Sequence, residues 1–274
     1  TTGTVVVVAS GCLLALVAVM VTASPGGFVD VQIAVAFAAF IALGELVRIT
    51  LPGGRDAAPI STAGALAYAL LLRWPGEDVD HGALQVVSVT VVAMLVGVAP
   101  HVVGGRAPSL ESMSRRLLAV GFAALLFRGT ELAEFVGGLR GAALALVMVC
   151  FVLATLAVDA VLAAAVQAGA AGAPFRAVLR NELQVQAGIG SAIGTTGALI
   201  ALAASIMGVW ALPVFVVPLL LTQFAFRRYA AIRQTSLQTI RALSRVTELG
   251  GYTEAGHSRR VSVLALAVGR ELGM

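Results

Sequence analysis

The sequence predicts an all-α fold: a polytopic integral membrane helical bundle of about eight spans with a cytoplasmic helical extension. Three observations carry that prediction. Hydrophobic residues make up 59% of the 274 and charged residues only 12%, with a mean hydropathy of +0.98. A soluble domain is about 25% charged, so this chain carries roughly half the usual share. The apolar residues also gather in runs near the ~20 residues a helix needs to cross about 30 Å of hydrocarbon. Finally, turn sequences stand where runs stop: Ser24-Pro25-Gly26-Gly27, Leu51-Pro52-Gly53-Gly54 and Val103-Gly104-Gly105. This pattern excludes a water-soluble enzyme, a disordered chain and a disulfide scaffold. Both cysteines, Cys12 and Cys150, lie inside apolar runs, which removes a zinc cluster as well.

The runs are Thr4–Val21, Val29–Val47, Ala58–Leu72, Leu84–Val103, Leu117–Phe127, Gly141–Gln167, Ala187–Met207 and Ala211–Phe226. The third and fifth are short, so the count lies between six and eight. The first run lacks a charged leader and a small-residue exit, and reads as an anchor. Every one of the 18 basic residues is Arg, and their distribution sets the orientation. With the N-terminus inside, Arg48, Arg55, Arg106, Arg115, Arg116, Arg176, Arg180, Arg227 and Arg228 face the cytoplasm. Arg73, Arg128 and Arg140 face out, diluted by acids such as Asp30, Asp78 and Glu131. Trp74 and Trp210 fall at outer boundaries, where indole rings favour the headgroup layer. The expectation is N-in, C-in. Arg without Lys suits a GC-rich bacterial genome, and the location expected is a bacterial inner membrane, multi-pass. The charges are spaced rather than patched, so nucleic acid is not an expected partner.

Within the runs, polar residues are few. Asp159 lies in the sixth, where a carboxylate must be paired, neutral or wetted. It is either a ligand or proton site or a bond between neighbouring helices. Glu45 and Arg48, three apart near a helix end, read as a local ion pair; Glu45 is kept with Asp159 as an intramembrane polar candidate. Gly190 and Gly194 form a small-xxx-small pair suited to close helix packing, and Pro213 and Pro218 are expected to kink the last run. Paired broken helices in matching halves are absent, which speaks against a transport path.

After Arg227-Arg228 the composition turns polar. Tyr229, Ile232, Leu237, Ile240, Leu243, Val246 and Leu249 make an amphipathic stripe, a connector helix over 227–249 that could serve as a homodimer seam. A second helix is expected from an N-cap at Thr253 to Gly273, with His257, Val261, Leu264, Ala265, Val268 and Leu272 on an inward face. The segment Tyr252-Thr253-Glu254-Ala255-Gly256-His257-Ser258-Arg259-Arg260-Val261, running on to Glu271-Leu272-Gly273, resembles the opening of an HD-GYP domain. That family comprises HD-superfamily metal-dependent phosphohydrolases, many of which hydrolyse cyclic di-GMP. Gly250-Gly251 replaces the acid usual before the Tyr. The resemblance implies that His257 is the first metal ligand. It also implies that the complete domain holds a divalent metal pair (Fe, Mn or similar), because Thr253 stands where some members carry an extra Glu ligand. The His-Asp pair and the Gly-Tyr-Pro motif would lie beyond Met274, so residues 1–274 are not expected to be catalytically competent.

The organisation expected is therefore a membrane bundle over 1–226, a connector over 227–249 and the start of an HD-GYP-like domain over 250–274. The leading functional expectation is a membrane sensory or anchoring module for a cyclic-dinucleotide phosphodiesterase. A transporter or channel with Asp159 in its pathway, and a non-catalytic subunit of a larger membrane complex, are the alternatives.

Overall fold

A computed structural model of the chain describes residues 2–51, 55–105, 108–129, 132–250, 254 and 256–271. The architecture is all-α, and each of the eight apolar runs lies within or largely within a helix. These are α1 (Thr2–Thr22), α2 (Val31–Leu46), α3 (Pro59–Leu70), α4 (Ala83–Val103), α5 (Leu110–Arg128), α7 (Gly141–Ala171), α9 (Ser191–Met207) and α10 (Ala211–Leu249). Short helices α6 (Leu132–Gly137) and α8 (Phe175–Val185) lie between them, and a last helix, α11, covers His257–Glu271. Two small antiparallel hairpins join α2 to α3 (β1 Ile49–Leu51, β2 Arg55–Ala57) and α3 to α4 (β3 Arg73–Trp74, β4 Glu77–Asp78). By length and apolarity four helical stretches could cross a membrane: Thr2–Thr22, Ala83–Val103, Gly141–Ala171 and Ser191–Ala225. Helices α2 and α3 are apolar but shorter.

Local chemistry fixes several boundaries. Pro59 opens α3, where its missing N–H is not needed. Ser109 caps α5 by accepting a bond from Ser112 N at 3.3 Å. Gly172, at φ +61°, ends α7 in a left-handed conformation that only glycine adopts freely. Between α8 and α9 the chain makes a π-helical turn, Gln186–Gly190, which widens the helix by one residue.

Helix α3 is the buried centre of the bundle. It packs against α2, α5 and α9, while α1 lies on α4 and α5, and α7 on α5, α8 and α9. Ala63, Ala67, Tyr68 and Ala69 are wholly buried. Small residues make this closeness possible, since van der Waals fit rather than water exclusion holds helices together in lipid. A side chain on Gly64 would stand 2.5 Å from the Phe40 ring, and one on Gly197 would stand 2.8 Å from the Ala63 carbonyl. The large apolar side chains on the opposite faces are exposed, including Leu13 and Met20 on α1, Leu95 on α4 and Leu153 on α7. Polar groups such as Glu45, His81, Gln85 and Glu182 are buried instead. Apolar outside and polar inside is compatible with a membrane location.

The chain divides into two units, Thr1–Gln223 and Phe224–Met274. The second contains the polar part of α10 and all of α11. Its stripe residues Ile232, Ile240, Leu243 and Val246 are exposed; the side chains of Tyr229, Leu237 and Leu249 lie outside the described ones. Helix α11 begins at His257, later than the expected Thr253 cap. Gly256, at φ +78°, turns the chain immediately before it, and His257 N donates to the Glu254 carbonyl at 3.0 Å. Val261, Leu264 and Val268, expected to face inward, are exposed.

Candidate functional site

Helix α2 ends on Gly44-Glu45, and both neighbours of that end approach closely. A side chain on Gly44 would strike the Ser61 backbone N at the start of α3, and one on Gly97 of α4 would strike the Ala42 carbonyl. This crowding leaves the Glu45 carboxylate fully buried. It accepts bonds from Ser61 Oγ at 2.6 Å, from Arg116 Nη2 at 2.6 Å, and from its neighbour Arg48. Arg116 also reaches Thr62 Oγ1 at 3.5 Å. The local Glu45–Arg48 pair read from the sequence is present, but it is half of the arrangement. One carboxylate is shared by two guanidiniums.

Asp159 of α7 lies beside this group. Arg115 Nε donates to its Oδ1 at 2.8 Å, and Gln186 of the π turn donates to Oδ2. The sequence offered no partner for Asp159 because both come from other helices. Next to it Gln167 Nε2 donates to Glu182 Oε1 at 3.0 Å. These groups stand on the wall of a cavity of about 740 Å³, within the size range of small-molecule sites. Arg115, Arg116, Asp159 and Glu182 supply its charged wall; Leu66, Val120, Leu156 and Ile193 supply an apolar one. Gly190 and Gly194 also line it. A side chain on Gly190 would meet Gln186 Oε1 and, at 3.1 Å, Leu156; one on Gly194 would meet Val152, so both glycines face α7.

A second polar cluster lies at the other ends of α2, α3 and α5. His81, in the link between α3 and α4, stacks on Tyr68 with ring centroids 4.2 Å apart, and Tyr68 stacks on Phe37 at 5.2 Å. His81 Nε2 is 3.1 Å from the Tyr68 carbonyl, which can only accept, so Nε2 carries the proton of the neutral ring. Asp30 Oδ2 is 3.7 Å from His81 Nδ1, too far for a hydrogen bond. Burial first, and the Arg128 guanidinium second, push the His81 pKa down to about 3. Arg128 closes this end by donating to three carbonyls: Ala69 at 3.0 Å, His81 at 2.9 Å, and Leu71. Trp74 is near Gly208, where an added side chain would stand 3.6 Å from its ring. The turns after α3 and α9 therefore lie at one end of the bundle.

His257 is exposed at the first residue of α11. Among the described residues no three His, Cys, Asp or Glu side chains gather to hold a metal. A lone imidazole is not the donor set of a divalent metal pair, so no metal step can be derived from these residues. Tyr252, Thr253, Leu272 and Gly273 of the HD-GYP-like segment lie outside the described residues, as do Arg106 and Glu131. No family model, curated protein or solved structure matches the chain.

Proposed function

We propose that this chain is the membrane-embedded sensory or anchoring module of a bacterial phosphodiesterase of the HD-GYP type. Its N- and C-termini would be cytoplasmic and its eight apolar helices embedded. The ion-pair cavity between α3, α5, α7 and α9 would be its ligand site. The single observation that carries the cytoplasmic half is the segment from Tyr252 to Val261, which matches the family opening at His257, Arg260 and Val261. Two further features support the reading. Helix α10 is a single element of 39 residues whose sequence passes from an apolar run into polar residues without a break, a form suited to relaying a shift or rotation. The exposed stripe at Ile232, Ile240, Leu243 and Val246 offers a seam to a second copy of the chain.

The coding sequence downstream of Met274 tests the proposal directly. A His-Asp pair is expected within about one domain length, roughly 100–200 residues; its absence overturns the reading. Where the pair is present, the purified full-length protein is expected to hydrolyse cyclic di-GMP, and His257→Ala to abolish that hydrolysis with the fold retained.

A further inference from the structure

We infer that helix α8 docks on an anionic phospholipid surface, its two arginines taking lipid phosphates and its leucines resting among the uppermost acyl carbons. Position is the first argument. Helix α8, the π turn and α9 run on without a break, since Val185, Gln186 and Gly190 at the joints all keep right-handed helical angles. Residues 175–207 thus make a helical stretch of about 50 Å at 1.5 Å per residue, longer than the roughly 40–45 Å of a whole bilayer. The turn Gly208–Trp210 ends that stretch, with Trp210 exposed and suited to a headgroup layer. Counted from Gly208, Leu183 is about 38 Å away and Arg180 about 42 Å. With α9 spanning the bilayer, both fall at the opposite headgroup layer.

The outward side of α8 is the second argument. An open groove of about 420 Å³ runs along it, lined by Arg176, Leu179, Arg180, Leu183, Gln184 and Ala187. At 3.6 residues per turn the two leucines fall on one lip of this groove and the two arginines on the other. No acid is among its lining residues. The one acid of the helix, Glu182, is buried on the opposite side, where Gln167 donates to it at 3.0 Å. Among the described residues no acid pairs with Arg176 or Arg180. Phe175 and Leu183 are each 43% exposed beside them, an arrangement that suits a headgroup layer better than water. Charge decides the occupant. Guanidiniums one turn apart recognise phosphate oxygens, and an anionic leaflet attracts them, whereas a zwitterionic surface supplies no net charge to match. The inference rests on the bundle being embedded and does not depend on a phosphodiesterase domain downstream of Met274.

The test is photo-cross-linking of the full chain in phosphatidylcholine nanodiscs doped with phosphatidylglycerol that carries a diazirine on its upper acyl chain, with adducts mapped by residue. Adducts are expected on Leu179, Leu183 and Gln184. Unlabelled phosphatidylglycerol is expected to compete them away, and added phosphatidylcholine is not. Arg176→Gln and Arg180→Gln are each expected to lower the yield on α8 about five-fold, with the yield on the outward faces of α1 and α4 unchanged. If either variant does not fold, raised salt on the native chain is read in the same assay, with loss again expected on α8. Labelling of α1 and α4 without α8 would overturn the inference, because α8 then stands clear of the lipid. Equal labelling of α8 by a phosphatidylcholine probe would overturn the anionic preference. Labelling of none of the three helices would overturn the embedding, and this inference with it. The phosphodiesterase reading is decided separately, by the coding sequence beyond Met274.

Discussion

Glu45 and Asp159 are both carboxylates bonded to arginine inside the bundle, yet their surroundings make them unequal. Glu45 is fully buried and answers two guanidiniums, whereas Asp159 stands on a cavity wall with 16% of its side chain exposed. Removing one member of a buried pair leaves an uncompensated charge and costs about 3–5 kcal/mol; where water reaches the pair the effect is closer to about 1 kcal/mol. Glu45→Gln is therefore expected to lower unfolding stability in detergent several-fold more than Asp159→Asn. His81 supplies a pH dependence of definite sign. Its folded pKa, near 3, is below the ordinary 6.5, so the unfolded chain takes up a proton as pH falls below about 6.5 while the folded chain does not. Stability is thus complete above that pH and declines toward pH 3, by up to about 1.4 kcal/mol per pH unit. Unfolding midpoints at pH 5 and pH 7 are expected to differ in the native protein, and the difference to shrink in His81→Gln.

At the scale of elements, close approach is the limiting quantity. Gly97 has no room for a side chain against the α2 backbone and Glu45 Cβ, while Gly188, in the π turn, has nothing within 4 Å. Gly97→Leu is expected to abolish or sharply reduce the folded yield on size exclusion, and Gly188→Leu to leave it nearly unchanged. The elements themselves were largely legible, because an apolar run of span length has few other fates. Helix α8 was not. Its 11 residues include Arg176, Arg180 and Glu182 among Val178, Leu179 and Leu183, and a search for uniformly apolar stretches passes over a helix whose apolar residues occupy one face. The two hairpins were missed for a related reason: strands of two or three residues are too short to show alternation.

For the whole molecule, the arginine distribution predicts which ends face which side. In a chain carrying Cys12→Ala and Cys150→Ala, Glu77→Cys is expected to react with a membrane-impermeant maleimide on intact cells. Val103→Cys is expected to react only after permeabilisation. The reverse pattern would overturn the N-in, C-in assignment. The site was far less legible than the spans. Asp159 and Glu45 stood out as charges in apolar surroundings, but Arg115 lies 44 residues from Asp159 and Arg116 lies 71 from Glu45. Pairing at such separations is decided by how helices pack, which a linear pattern of charges does not encode. Arg128 carries this into the order of assembly. The carbonyls it takes at the end of α3 belong to Ala69 and Leu71, which leave the ribosome 59 and 57 residues earlier. At roughly 5–20 residues per second, those carbonyls wait several seconds for their donor. During biogenesis α3 is therefore a provisional element, completed only when the tip of α5 arrives to close it.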